Sequence, residues 1–123
     1  MNNLASERVC LAEKLKLIDR YWNPKIVGEL NGQFIKVAKF KGEFVWHHHE
    51  NEDEFFLVIK GELKIKLENR ELVLREGDFT IINRNIQHLP FAEEETHVLI
   101  FEPKSTVNTG QARNELTVDC EWL

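Results

Sequence analysis

The chain has 123 residues, 42% of them hydrophobic and 30% charged, with a formal net charge of −5. This describes one soluble globular domain, long enough to bury a core without disulfide staples. The acidic balance excludes the basic face that nucleic acids and anionic membranes require, so neither is an expected partner. No apolar run approaches the ~20 residues that cross a bilayer. The first residues, Met1 to Arg8, lack an apolar signal-type stretch, so a cytoplasmic location is expected. Cys10 and Cys120 stand far apart and form no CxxC pair, which excludes cysteine-ligated zinc as a local motif and predicts two reduced thiols.

Leu4, Leu11, Leu15 and Ile18 fall on one helical stripe, predicting an amphipathic helix over residues 4–18. After Pro24 the texture becomes all-β: short Val-, Ile- and Phe-rich segments separated by turn residues. Lys25 to Leu30 and Gln33 to Phe40 read as strands joined by the Asn31-Gly32 hairpin turn. Lys41-Gly42 reads as a second turn, leading into a strand from Phe44 to His49. Further strands are expected at Glu54–Ile59, Glu62–Glu68, Glu71–Leu74, Phe79–Ile82 and Thr96–Phe101, the last ended by Pro103. The acidic run Glu93-Glu94-Glu95 reads as a solvated loop. The expected organisation is a helix and lead-in over 1–24, a barrel over 25–103 and a docked tail over 104–123. Eight or nine short antiparallel strands hide their edges naturally in a double-sheet jelly roll.

Four residues carry the chemistry: His47, His49, Glu54 and His88. On a strand, His47 and His49 share a face at a Cα spacing of about 6–7 Å, and His48 points the other way. Two imidazoles so placed converge on one ion at about 2.0–2.1 Å each. Glu54 lies across a polar turn, with Phe56 and Val58 on its face, and offers an anionic oxygen. His88 comes from a later strand pair and closes the set. Three imidazoles and a carboxylate suit Zn, Fe, Mn, Ni or Cu rather than Ca or Mg, which prefer oxygen alone. Strand histidines are more often wall residues than ligands, and that reading is kept for His48 and His97. Phe34, Phe40, Phe44, Phe56, Phe79 and Phe91 are candidates for an apolar pocket, with plain core packing as the alternative. Gln87, Glu43 and His97 are candidate bases, and Arg84 is the one obvious candidate for phosphate recognition.

These residues resemble the two motifs of the cupin superfamily. His47-His48-His49, Glu54 and Gly61 match the first motif in spacing, with Gly42 one residue closer to the first histidine than usual. Gly77 and His88 match the second, in which Asn83 stands for the usual Pro, Asn85 for Gly and Ala92 for Asn. Asn tolerates positive φ, so Asn85 can make the turn. The chain resembles the small single-domain bacterial cupins loosely called mannose-6-phosphate isomerase-like. That resemblance implies an all-β double-stranded β-helix, commonly a homodimer, with one divalent transition metal per chain (Zn, Fe, Mn or Ni). It implies no single reaction, because fold and metal leave function open. Three readings follow: a small-molecule metalloenzyme of dioxygenase, isomerase or lyase type, a non-catalytic binding or sensing module with the same site, and a structural barrel.

Overall fold

The computed structural model describes residues 6–123. One helix and eight strands are present among them: α1 (Leu11–Lys16), β1 (Lys25–Leu30), β2 (Gln33–Glu43), β3 (Glu54–Lys60), β4 (Glu62–Lys66), β5 (Glu71–Arg75), β6 (Phe79–Ile82), β7 (Leu89–Pro103) and β8 (Glu121–Trp122). β7 is the spine. On one side it pairs with β2 from Phe91 to Pro103; on the other its first residues pair with β4 and its later part with β3, all antiparallel. β5 extends β4, β6 extends β3, and β1 extends β2.

Period-two alternation puts Ala38 and Phe40 of β2, Phe56 and Val58 of β3, Leu63 and Ile65 of β4, and Val98 and Ile100 of β7 into one interior cluster. A second cluster lies outside the barrel, where Leu15 and Ile18 cover Val27 and Val37. The helical stripe is therefore used as expected. The helix itself is shorter, starting after Cys10 with no side-chain cap, and Leu4 lies outside the described residues.

Three sequence expectations are corrected. Lys41-Gly42 is not a hairpin turn, because β2 runs on to Glu43 through an irregularity between Phe40 and Gly42. The Glu93–Glu95 run is exposed as expected, but it is the bulged middle of the long β7 and not a loop. The extra residues there bend β7, which lets its two ends serve different neighbours. Phe44 to His49 is not a strand, because it is tied to the segment around His88 at separate points and makes no regular ladder.

The tail docks as expected. β8 pairs in parallel with β1, and the Leu123 N–H donates to the Ile26 carbonyl at 2.9 Å. Gly110 allows the tail to sit on the histidine segment, since a methyl group there would run into the His48 carbonyl.

Gly61 links β3 to β4 at φ 96°, and a Cβ there would lie 2.7 Å from Thr96 Oγ1 and 3.1 Å from the Thr96 Cα. Gly61→Ala is expected to cost about 1–3 kcal/mol through the left-handed strain and this backbone contact. Chemical denaturation checks it, and an unchanged midpoint refutes it.

Candidate metal centre

The four predicted residues come from three segments. His47 and His49 sit on the irregular stretch between β2 and β3, Glu54 opens β3, and His88 immediately precedes β7. The His47 N–H donates to the His88 carbonyl at 3.0 Å, and the His88 N–H donates back to the His47 carbonyl at 2.9 Å. On either side, the Phe44 N–H donates to the Pro90 carbonyl at 2.9 Å and the Asn85 N–H to the His49 carbonyl at 2.8 Å. The pairing slips by one residue between these ties, so the segment is held at points and makes no regular ladder. Side-chain alternation survives all the same: His47 and His49 are buried, while His48 turns away and accepts a bond from Gln87 Nε2 at 2.6 Å. Asn85 has φ 67°, the left-handed turn expected of it.

One donor atom from each of His47, His49, Glu54 and His88 lies within 4.8 Å of all the others. Nε2 of His49 is 3.2 Å and Nε2 of His88 is 3.5 Å from Glu54 Oε1. Even so, these three buried atoms make no properly formed hydrogen bond among the described residues. Orphaned buried polar atoms are rare in native proteins, and three converging on one point are what a cation would satisfy. The far side of two rings is already committed. His47 Nδ1 donates to the Val45 carbonyl at 2.9 Å, and His88 Nδ1 donates to the Ile86 carbonyl at 2.8 Å. Each bond fixes the ring's tautomer and leaves Nε2 with its lone pair toward the centre. The cluster could hold a metal ion, and its nitrogen-rich donors fit a divalent transition metal.

Burial, followed by the neighbouring His88, lowers the His47 pKa from 6.5 to about 4. The imidazole is thus neutral at physiological pH, the form that binds a metal. Burial works against the Glu54 carboxylate, but the neighbouring Glu102, His49 and His88 outweigh it and hold its pKa well below the usual range. Burial and then the Glu54 charge push the Glu102 carboxyl well above it. Lys36 Nζ donates to Glu102 Oε2 at 2.6 Å, with both side chains buried.

A cavity of about 20 Å³ adjoins the centre, bordered by His47, Glu54 and Glu102 and walled by Trp22, Phe40, Phe44, Phe56 and Asn108. It has room for about one or two water molecules. Trp22 stacks on Phe40 at 4.2 Å and on Phe44 at 4.7 Å between ring centroids, and its indole N–H donates to the Lys41 carbonyl.

The other sequence candidates lie elsewhere. His97 is outside the barrel, 2.8 Å from a Glu95 oxygen, and Glu43 is exposed near Lys66. Arg84 pairs with Asp53 on the surface, and Gln87 serves His48. Phe40, Phe44 and Phe56 wall the cavity, whereas Phe34, Phe79 and Phe91 do not. Sequence reasoning missed Lys36, Glu102 and Trp22. The signal for the first two was parity: Lys36 shares a face with Ala38 and Phe40, and Glu102 with Val98 and Ile100. Trp22 precedes the first strand with φ 60°, and no periodicity marks it.

An all-β barrel with three histidines and a glutamate buried at one point defines a cupin. The chain belongs to the cupin domain family (Cupin_2), which it matches over residues 34–102. Over 63 residues it is 38% identical to the uncharacterized protein YdbB of Bacillus subtilis (strain 168), covering 50% of this chain and 56% of that one, so it spans little over half of that relative's length. A cupin-2 domain protein of Shewanella frigidimarina superposes with a TM-score of 0.76 at 35% identity, covering 77% of this chain and 93% of that one. Hydroquinone 1,2-dioxygenase of Sphingomonas sp. TTNP3 superposes with a TM-score of 0.71 at 20% identity, over 80% of this chain and 32% of that one, a likeness of fold alone.

The His47 ring in metal-free protein is expected to titrate near pH 4, followed by its carbon-bound proton NMR signal. Between about 4 and 6.5 the unfolded chain binds this proton more readily than the folded one, so this group's contribution to stability rises with pH across that window. A midpoint near 6.5 would show that the ring is not desolvated as described.

Proposed function

We propose that the chain holds one divalent transition metal through His47, His49, Glu54 and His88, and that a small molecule binds or reacts there. The observation that carries this reading is the set of orphaned donors: Nε2 of His49 and His88 and Oε1 of Glu54, buried and converging while the opposite nitrogens of His47 and His88 are tied to carbonyls. A bound metal would supply Lewis-acid or redox chemistry at whatever coordination positions the protein leaves open. The chain's own part is to exclude water and orient the ligand. Trp22, Phe40, Phe44 and Phe56 give the cavity an apolar wall, and its small volume limits what enters to water-sized ligands unless the wall moves.

A second reading, a binding or sensing module with the same centre, has its own support. Gln87, Glu43 and His97 all lie away from the cavity, and Glu102, the one carboxyl there besides Glu54, is clamped by Lys36. Turnover of a substrate favours the enzyme. Ligand-induced stabilisation without product favours the module.

The homodimer implied by the family resemblance is part of the proposal. Phe79 and Ile81 support it, being 59% and 52% exposed on β6 beside Phe55. Light scattering should then give twice the chain mass.

Plasma mass spectrometry on tag-free protein is expected to find about one equivalent of Fe, Mn, Ni, Cu or Zn per chain, with His49→Ala losing most of it. A wild-type chain that takes no metal even after reloading would overturn the reading.

A further inference from the structure

The metal-centre reading leaves one buried feature without a use. Lys36 on β2, Glu102 on β7 and Glu54 on β3 form a row across three adjacent strands. The ladder that pairs Phe55 with Phe101 brings Glu54 opposite Glu102, and Phe34 pairs with Glu102 on the other side, two residues from Lys36 and on the same face. All three side chains point into the barrel, at 2%, 3% and 4% exposure for Lys36, Glu102 and Glu54. Around them the inward face is apolar, with Ala38, Phe56, Val98 and Ile100.

Two acidic side chains facing each other across strands are unfavourable unless something is shared between them or placed beside them. Lys36 is placed beside Glu102, but on the side away from the histidines, and donates to Oε2. The other oxygen, Oε1, is buried and has no hydrogen-bond partner among the described residues, and the strand register sets the Glu102 carboxyl beside that of Glu54, on the border of the same cavity. A buried ion pair contributes little net stability compared with apolar packing, so stability alone does not account for this pair. Its position behind a candidate ligand does. Ligating carboxylates need outer partners that fix their orientation, and such partners commonly alter metal affinity by about 10- to 100-fold.

We propose that Glu102, clamped by Lys36, is the positioning residue of the centre: it bridges Lys36 to the Glu54 carboxyl and holds that carboxyl turned toward the three imidazoles. This rests on the metal-centre reading above. A bridging group here must accept a hydrogen bond from Lys36 and at the same time satisfy Glu54. Glu102→Gln retains both abilities, since an amide carries a carbonyl and an N–H. Glu102→Leu keeps a similar bulk and has neither.

The test uses the full chain, stripped of metal, with Zn²⁺ competed against a fluorescent chelator and with the visible spectrum of bound Co²⁺. The glutamine variant is expected to bind Zn²⁺ within about threefold of wild type, and the leucine variant about 10- to 100-fold more weakly with displaced Co²⁺ bands. Leucine alone leaves Lys36 unpaired and can unfold the barrel. The double change Lys36→Met with Glu102→Leu removes both charges together, the exchange buried pairs tolerate best, and it is expected to show the same loss of affinity. Wild-type affinity and an unmoved Co²⁺ spectrum in the double variant would overturn the proposal, because packing alone would then explain the pair. A glutamine variant as weak as the leucine variant would also overturn it. A wild-type chain that binds neither metal is a separate result, which removes the metal-centre reading and this inference with it.

Discussion

The reciprocal backbone bond between His47 and His88 is the constraint on which the site depends. Each residue gives its N–H to the other's carbonyl, so two rings from distant parts of the chain stand side by side, tilted by 50° with centroids 4.2 Å apart. The same segment must keep its period-two alternation for His49 to follow His47 inward. It does so without forming a strand, because point contacts replace a ladder. A regular ladder would pin every residue equally. This arrangement pins the histidines and leaves room for the slip at Asn85, whose left-handed turn returns the chain toward β7.

Electrostatics sets the second condition. Three imidazoles, two carboxyls and an ammonium are enclosed in a barrel whose interior is otherwise mostly apolar. Burial keeps His47 neutral, and the arrangement around Glu54 keeps that group ionised. The two effects have one origin, the low polarity of the interior. It penalises a lone charge and strengthens any pair that forms. Burial alone works against the Lys36 ammonium, yet Glu102 and Cys120 outweigh it and hold its pKa above the ordinary lysine value.

Much of the architecture could be read from the chain. Leu63, Ile65 and Leu67 alternate with charged residues, and β4 lies where that alternation is clearest. β6 falls at Phe79–Ile82 as anticipated, between two sets of turn residues. The misreadings cluster where local texture and tertiary pairing disagree. Lys41-Gly42 has turn chemistry, yet pairing of Gly42 and Glu43 with Ala92 and Phe91 carries the strand through it. Glu93 to Glu95 look like a loop because they are solvated, but a bulge on a long strand is solvated too. Lys36 and Glu102 were overlooked because each, taken alone, looks like an ordinary surface charge. Only their parity with core residues marks them as inward.

By itself the sequence determined the candidate ligand set and its faces: the spacing of His47, His49 and Glu54, and the later arrival of His88, follow from strand periodicity and turn chemistry, which are local. Tertiary structure decided what those residues face. Three matters are long-range: the slipped pairing that brings His88 to His47, the wall that Trp22 and Asn108 add from outside the motifs, and the row from Glu54 through Glu102 to Lys36. Each depends on which strands become neighbours. That is settled by burying apolar surface across the whole chain, and no single segment encodes it.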